Sequence, residues 1–160
     1  MTLLLPRGAE AAIVDHVTRM GLARGGVETG GFILGRAERA SVVAIAGRAG
    51  VARARDLFII GGRASARLFE HAEERGLAVL GQWHSHRGHA ALSRPDVTHG
   101  FNVRGLYSMI VPDYARPPRE ARAWGWWLFD GQRWTETPAA WVSQGRSEVV
   151  IFDGGGVHAT

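Results

Sequence analysis

The sequence predicts an α+β fold in a single domain, and three observations carry the prediction. Short apolar, β-branched runs outnumber the segments with helical periodicity. Their connections are local and hairpin-like, without the regular strand–helix alternation that builds an all-parallel sheet. The 160 residues hold no internal repeat and no linker-like stretch, and that length matches one domain. The domain is expected to span residues 1–152, with residues 153–160, carrying Gly154-Gly155-Gly156, as a flexible tail.

Taken in order, Leu3–Leu5 reads as a short opening strand. From Ala9 to about Ala23, Ile13, Val14, Val17 and Met20 fall at helical spacing, and Gly25-Gly26 break the pattern. Phe32–Leu34 and Ser41–Ala46 read as two strands of a hairpin. Arg48–Arg55 is expected to be a polar connection, and Leu57–Ile60 a strand closed by Gly61-Gly62. Ala64, Leu68 and Ala72 mark a second helix stopped by Gly76. Leu77–Trp83 and Leu106–Val111 are apolar strands. Between them, Ser93-Arg94-Pro95-Asp96 is a helix start of capping-box type, with Pro early in the first turn. Ala115–Arg122 reads as a Pro/Arg loop. Ala123–Phe129 and Gln132–Glu136 flank Asp130-Gly131, a hairpin turn, and Glu148–Phe152 is a last strand.

Composition removes several function classes. There is no cysteine, which excludes disulfides, thiolate metal sites and thiol catalysis, so a metal would need His, Asp or Glu. All 19 basic residues are arginine, and the absence of lysine fits a coding bias. The pI of about 10.8 follows from this: the net charge is only +4, and between about pH 8 and 12 only two tyrosines titrate. The charges form no run, so a nucleic-acid partner is not indicated. No apolar stretch reaches the length of a membrane span, and the Met1–Leu5 run is too short for a signal peptide. A cytoplasmic protein without membrane attachment is expected.

The chemistry concentrates in Gly81-Gln82-Trp83-His84-Ser85-His86 and Ser93-Arg94-Pro95-Asp96. Residues two apart on a strand share a face, so His84 and His86 would present paired imidazoles with Ser85 turned away. Asp96, in the first turn of the next helix, can fold back over the strand end. Two neutral histidines, one carboxylate and an open fourth position suit a catalytic zinc. By themselves the same residues also fit two polar strand-end histidines and an ordinary N-cap serine. Upstream, Glu28 precedes Thr29-Gly30-Gly31-Phe32-Ile33-Leu34-Gly35 at a strand entrance. It is either a solvated loop residue or the carboxylate that a zinc hydrolase needs beside its water.

Together these positions resemble the JAMM (MPN-type) zinc metalloproteases, as a prokaryotic-type standalone domain. The family pattern is a glutamate before a glycine-rich strand, then His-x-His, then Ser-x-x-Asp. Glu28, His84, His86, Ser93 and Asp96 match it in order, and the looser resemblance runs from the first helix to the last hairpin. Two departures are Arg87, where the family commonly has proline, and the six residues between His86 and Ser93, one or two fewer than usual. The resemblance implies a cytidine-deaminase-like fold, a curved mixed β-sheet with flanking helices. It implies one catalytic Zn2+ on His84, His86 and Asp96, Glu28 as the group that moves protons, and Ser93 as an oxyanion donor. It also implies the substrate class: a ubiquitin-like or sulfur-carrier β-grasp protein with a flexible C-terminal tail, cleaved in deconjugation or precursor processing. A non-catalytic MPN-type scaffold is the alternative, disfavoured because all five polar positions are present. Elsewhere His89 and His99 read as surface histidines with a minor claim on the site. Trp83, Trp124, Trp126 and Trp127 read as core. Arg116, Arg119 and Arg122 around Pro117-Pro118 read as a solvated loop.

Overall fold

The computed structural model describes residues 2–23 and 25–160; Met1 and Arg24 lie outside the described residues. The first half runs β1 (Leu4–Pro6), α1 (Arg7–Leu22), β2 (Gly30–Arg36), β3 (Arg39–Ala46), β4 (Val51–Ala54), β5 (Leu57–Ile60) and α2 (Gly62–Glu74). The second runs β6 (Ala78–Ser85), α3 (Arg94–His99), β7 (Tyr107–Val111), a 3-10 turn (Ala121–Ala123), β8 (Gly125–Phe129) and β9 (Trp134–Glu136). β10 (Trp141–Ser143), β11 (Glu148–Asp153) and β12 (Gly156–Ala159) complete the chain.

β2 and β3 form the centre of a mixed sheet ordered β10-β1-β3-β2-β6-β7-β8-β9, with β11 pairing parallel to β3 and β12 closing on β11. Both central strands are buried on both faces, which is why they read as unbroken apolar runs. Their alternate side chains serve two cores. Ile33, Val43, Ile45, Trp83 and Met109 face one way with Ile13, Val14 and Val17 of α1. Phe32, Leu34, Val42, Ala44 and Ala46 face the other way with Ala64, Leu68 and Ala72 of α2. Each helix buries a stripe of residues three or four apart, as their periodicity predicts. The observed class is therefore α+β, a mixed sheet between α1 and α2, with β4 and β5 as a separate two-stranded sheet. β6, α3 and β7 form a parallel crossover at the sheet's far side, with His84 opposite Ile110 in the register.

Four local expectations change. Residues 51–54, expected to connect, form β4, because the Val-Ala-Arg-Ala alternation pairs antiparallel with β5, Arg53 opposite Phe58. Residues 156–159, expected to be flexible, form β12. The glycines supply the turn, where the Gly155 N–H donates to Asp153 Oδ1 and Gly156 takes φ 133°. β10, unforeseen in the sequence, lies parallel to β1. The Asp130 turn spans four residues, because Asp130 Oδ1 accepts the N–H groups of Gln132 and Arg133, so β9 begins at Trp134. Trp83, Trp124 and Trp126 are buried as expected, and the last two stack at 6.4 Å.

The β2–β3 contact leaves no space for a side chain at Gly31, where a Cβ would sit 1.8 Å from the Ala44 carbonyl oxygen. A backbone oxygen between two paired strands cannot retreat. Gly31→Ala should therefore destabilise the protein by roughly 3 kcal/mol or more, at the top of the overpacking range, measured as a lowered urea midpoint.

Candidate metal centre

β6 ends at Ser85, so His84 lies on the strand and His86 one residue beyond it. Backbone bonds continue past the strand end: the His86 N–H donates to the Val111 carbonyl, and the Tyr114 N–H donates to the His86 carbonyl. The extended geometry is thereby kept, and both rings emerge on one face, their Nε2 atoms 3.0 Å apart. Ser85 points away and is fully buried, as strand alternation predicts.

Asp96 reaches this pair from α3. The helix opens with a complete capping box: the Asp96 N–H donates to Ser93 Oγ at 3.3 Å, and the Ser93 N–H donates to Asp96 Oδ2 at 2.7 Å. The reciprocal bonds fix the carboxylate rotamer. Asp96 Oδ1 then lies 3.0 Å from His84 Nε2, and Oδ2 lies 3.0 Å from His86 Nε2. His84, His86 and Asp96 thus form a half-buried group that could hold a metal ion.

The donor set fits zinc. Tetrahedral zinc with Zn–N and Zn–O bonds near 2.1 Å separates its ligand atoms by roughly 3.4 Å, so a small outward relaxation would seat it. The His86 Nδ1–H donates to the His89 carbonyl at 3.0 Å, which leaves the Nε2 lone pair for a metal. The electrostatics agree. Burial pushes the Asp96 carboxyl up, but hydrogen bonds from His84 and His86 outweigh it and hold the group well below the usual carboxylate range. Burial lowers His86, yet Asp96 and Glu28 more than reverse this, and its pKa is raised. A carboxylate that stays ionised beside a histidine drawn toward positive charge marks a place where a cation is favoured.

Glu28 is not a solvated loop residue. It is 5% exposed, and its N–H donates to the Ala54 carbonyl at 2.9 Å. Burial drives its carboxyl from the ordinary 4.5 up to about 7; His86 opposes the shift, while Asp96 and Asp56 add to it. Its neighbour Thr29 ties it to the histidine strand: the Ser85 N–H donates to the Thr29 carbonyl at 2.8 Å, and the Thr29 N–H donates to Ser85 Oγ at 3.0 Å. All five residues singled out in the sequence therefore belong to one neighbourhood.

Among the other contributors, Phe58 carries no sequence signal, whereas His89, His99 and Arg87 are positions that the sequence already marks. Phe58 of β5 stacks on His84 at 6.5 Å. His89 is exposed, lies edge-on to His86 and contributes its carbonyl to that ring. Exposed His99 lines a cleft with His84, Asp96, Phe58, Ile60 and Phe101. Arg87, the departure from the family proline, pairs with exposed Asp56 at 3.3 Å in the β4–β5 turn.

A model of prokaryotic homologs of the JAB domain, Prok-JAB, matches residues 9–127. The chain belongs to this family. Its fold is the JAB/MPN fold. A Desulfitobacterium hafniense protein solved in solution superposes with TM-score 0.65 at 17% identity, covering 91% of this chain and 95% of that one. A JAB1/MPN domain protein from Archaeoglobus fulgidus gives 0.50 at 18% identity, covering 89% of this chain and 98% of that one. A structure described as "JAMM: a metalloprotease-like zinc site in the proteasome and signalosome" gives 0.51 at 17% identity, covering 90% of this chain and 100% of that one. At these identities the likeness is one of fold. No curated protein matches the Prok-JAB chain in sequence.

Two outcomes follow from the geometry. His84→Ala or Asp96→Ala should abolish stoichiometric zinc binding, and zinc should raise the wild-type melting temperature but not that of either variant. In metal-free protein, native Glu28 retains between pH 4.5 and about 7 a proton that the unfolded chain has released, so stability falls as pH rises through that window. Glu28→Gln removes this loss. The melting temperature of the variant relative to wild type should climb from pH 5 to pH 8 in chelator, by differential scanning calorimetry.

Proposed function

We propose that the protein is a zinc-dependent metallo-(iso)peptidase that cleaves the amide bond after the C-terminal tail of a ubiquitin-like or β-grasp protein. The observation that carries the reading is the convergence of three ligand atoms, one from each of His84, His86 and Asp96, within 4.8 Å of one another, with the buried, proton-retaining Glu28 carboxyl alongside. A zinc ion on His84, His86 and Asp96 would supply a Lewis acid that polarises a carbonyl and acidifies water.

The rest of the chemistry falls to the side chains. A carboxyl with its pKa near 7 is balanced between accepting and donating a proton at neutral pH. Glu28 can take the proton of the attacking water and return it to the leaving amine, which departs poorly as an anion. Ser93 Oγ accepts the Asp96 N–H, so its own hydrogen remains available to an oxyanion, and cap and donor are compatible. His86 is held in its ligand tautomer by the His89 carbonyl.

The surroundings support an extended substrate. Phe58 and Ile60 of β5 line the cleft beside His84 and Asp96. Among the described residues β5 pairs only with β4, so its outer edge can receive a tail as an added strand. The backbone would supply affinity there, and the cleft walls would select narrow side chains.

A β-grasp protein extended by a short peptide after its Gly-Gly terminus is the test substrate, with products identified by mass spectrometry. Zinc-loaded protein should cut after the tail. Glu28→Gln should lower kcat by about 100-fold or more while zinc stays bound. Near-normal turnover by that variant would remove the general-base assignment, and a zinc-loaded wild type that cuts no such fusion or isopeptide would favour the scaffold alternative.

A further inference from the structure

Beside the metal centre lies a partly buried polar cluster that the proposed chemistry does not use. Thr29 Oγ1 accepts two hydrogen bonds from one guanidinium, from Arg53 Nε and Nη2, each at 3.2 Å. Both lone pairs of the hydroxyl are then occupied, so its hydrogen must go to His16 Nε2, 2.8 Å away on α1. His16 is accordingly the neutral Nδ1–H tautomer, consistent with burial and Arg53 lowering its pKa to about 4. Two further guanidinium hydrogens go to the carbonyls of Gly47 and Ala46 at the end of β3. One arginine on β4 thus joins β2, β3 and, through Thr29, α1.

We propose that Arg53 is a positioning residue, which through Thr29 Oγ1 fixes the Glu28 segment against the strand that carries His84 and His86. The Thr29 main chain bonds to Ser85, the residue between the two histidines, and the Glu28 N–H bonds to Ala54, the residue after Arg53. Glu28 is therefore held from both sides by neighbours of this one side chain. Arg53 acts on the ligands a second way: its guanidinium lies 5.6 Å from the Phe58 ring, and Phe58 stacks on His84. The fork is what makes arginine necessary. A single ammonium cannot hold Thr29 and both carbonyls in one rigid plane. The catalytic part of the inference rests on Glu28 being the base of the proposed peptidase; the structural part does not.

Three variants separate the possibilities. Thr29→Val keeps the shape and deletes the hydroxyl, Arg53→Lys keeps the charge and deletes the fork, and Thr29→Ser restores the hydroxyl. In zinc-loaded protein, the Glu28 and Ser85 amides should exchange with solvent about tenfold faster in Thr29→Val and Arg53→Lys, and within roughly twofold of wild type in Thr29→Ser. With the cleaved fusion, the first two variants should lose about 10- to 100-fold in kcat with KM within roughly twofold, as expected of a displaced base. Thr29→Ser should recover most of that loss, and zinc stoichiometry should be unchanged throughout. Because both deletions break one linkage, the double variant should be no worse than either single one. Exchange protection that stays within roughly twofold of wild type in Thr29→Val and Arg53→Lys overturns the proposal. So does unchanged kcat in those variants, or failure of Thr29→Ser to rescue. If wild type cleaves no substrate, the peptidase reading falls, and the exchange result alone decides whether Arg53 fixes the segment.

Discussion

The antiparallel register of β2 against β6 is the constraint on which everything else depends. It sets Gly30 opposite His84 and continues to Thr29, whose carbonyl accepts the Ser85 N–H and whose N–H donates to Ser85 Oγ. Fifty-six residues of chain separate Glu28 from His84, yet this ladder brings the glutamate beside the ligand pair. A slip of one residue would turn Ser85 toward solvent and both histidines into the core. The glycines at the strand entrance make the approach feasible. A Cβ at Gly30 would lie 2.3 Å from the Trp83 carbonyl oxygen and 2.8 Å from His84 Cβ.

Asp96 solves a different problem by local means. A helix of six residues has little stability of its own, and its capping box does two tasks with the same atoms. The carboxylate satisfies the Ser93 N–H and, in the rotamer this imposes, faces His84 and His86. The shortened loop from His86 is accommodated because His86 and Gly88 anchor its backbone on the segment after β7: Gly88 O accepts the Asp113 N–H, and His86 O accepts the Tyr114 N–H. Both family departures thus leave the ligand geometry intact, and Arg87 instead pairs with the β4–β5 turn.

Much of the protein was legible from local pattern. The two helices and the central hairpin follow from periodicity, and the paired imidazoles follow from the two-residue repeat of a strand. The Ser-x-x-Asp cap likewise follows from the chemistry of a helix start. What escaped were three short strands at sheet edges. β4 looked like a connection because small and charged residues alternate in it, β10 has only three residues, and β12 follows a glycine run. β4 and β12 are completed by their hairpin neighbours β5 and β11, and β10 by the remote β1, so pairing rather than propensity creates all three.

The sequence by itself determined which atoms can hold a metal, because ligand identity and spacing within β6 and α3 are local properties of the chain. Only the tertiary structure decided what surrounds them. Glu28 changes from an ordinary surface carboxylate to one held near pH 7 because β4 and the histidine strand enclose it. Arg53, read as part of a loop, becomes the joint between three strands and, through Thr29, a helix because its fork gives four hydrogen bonds to three acceptors, Thr29 Oγ1 and the Ala46 and Gly47 carbonyls. Burial and convergence sum over residues far apart in sequence, and no window along the chain contains that sum.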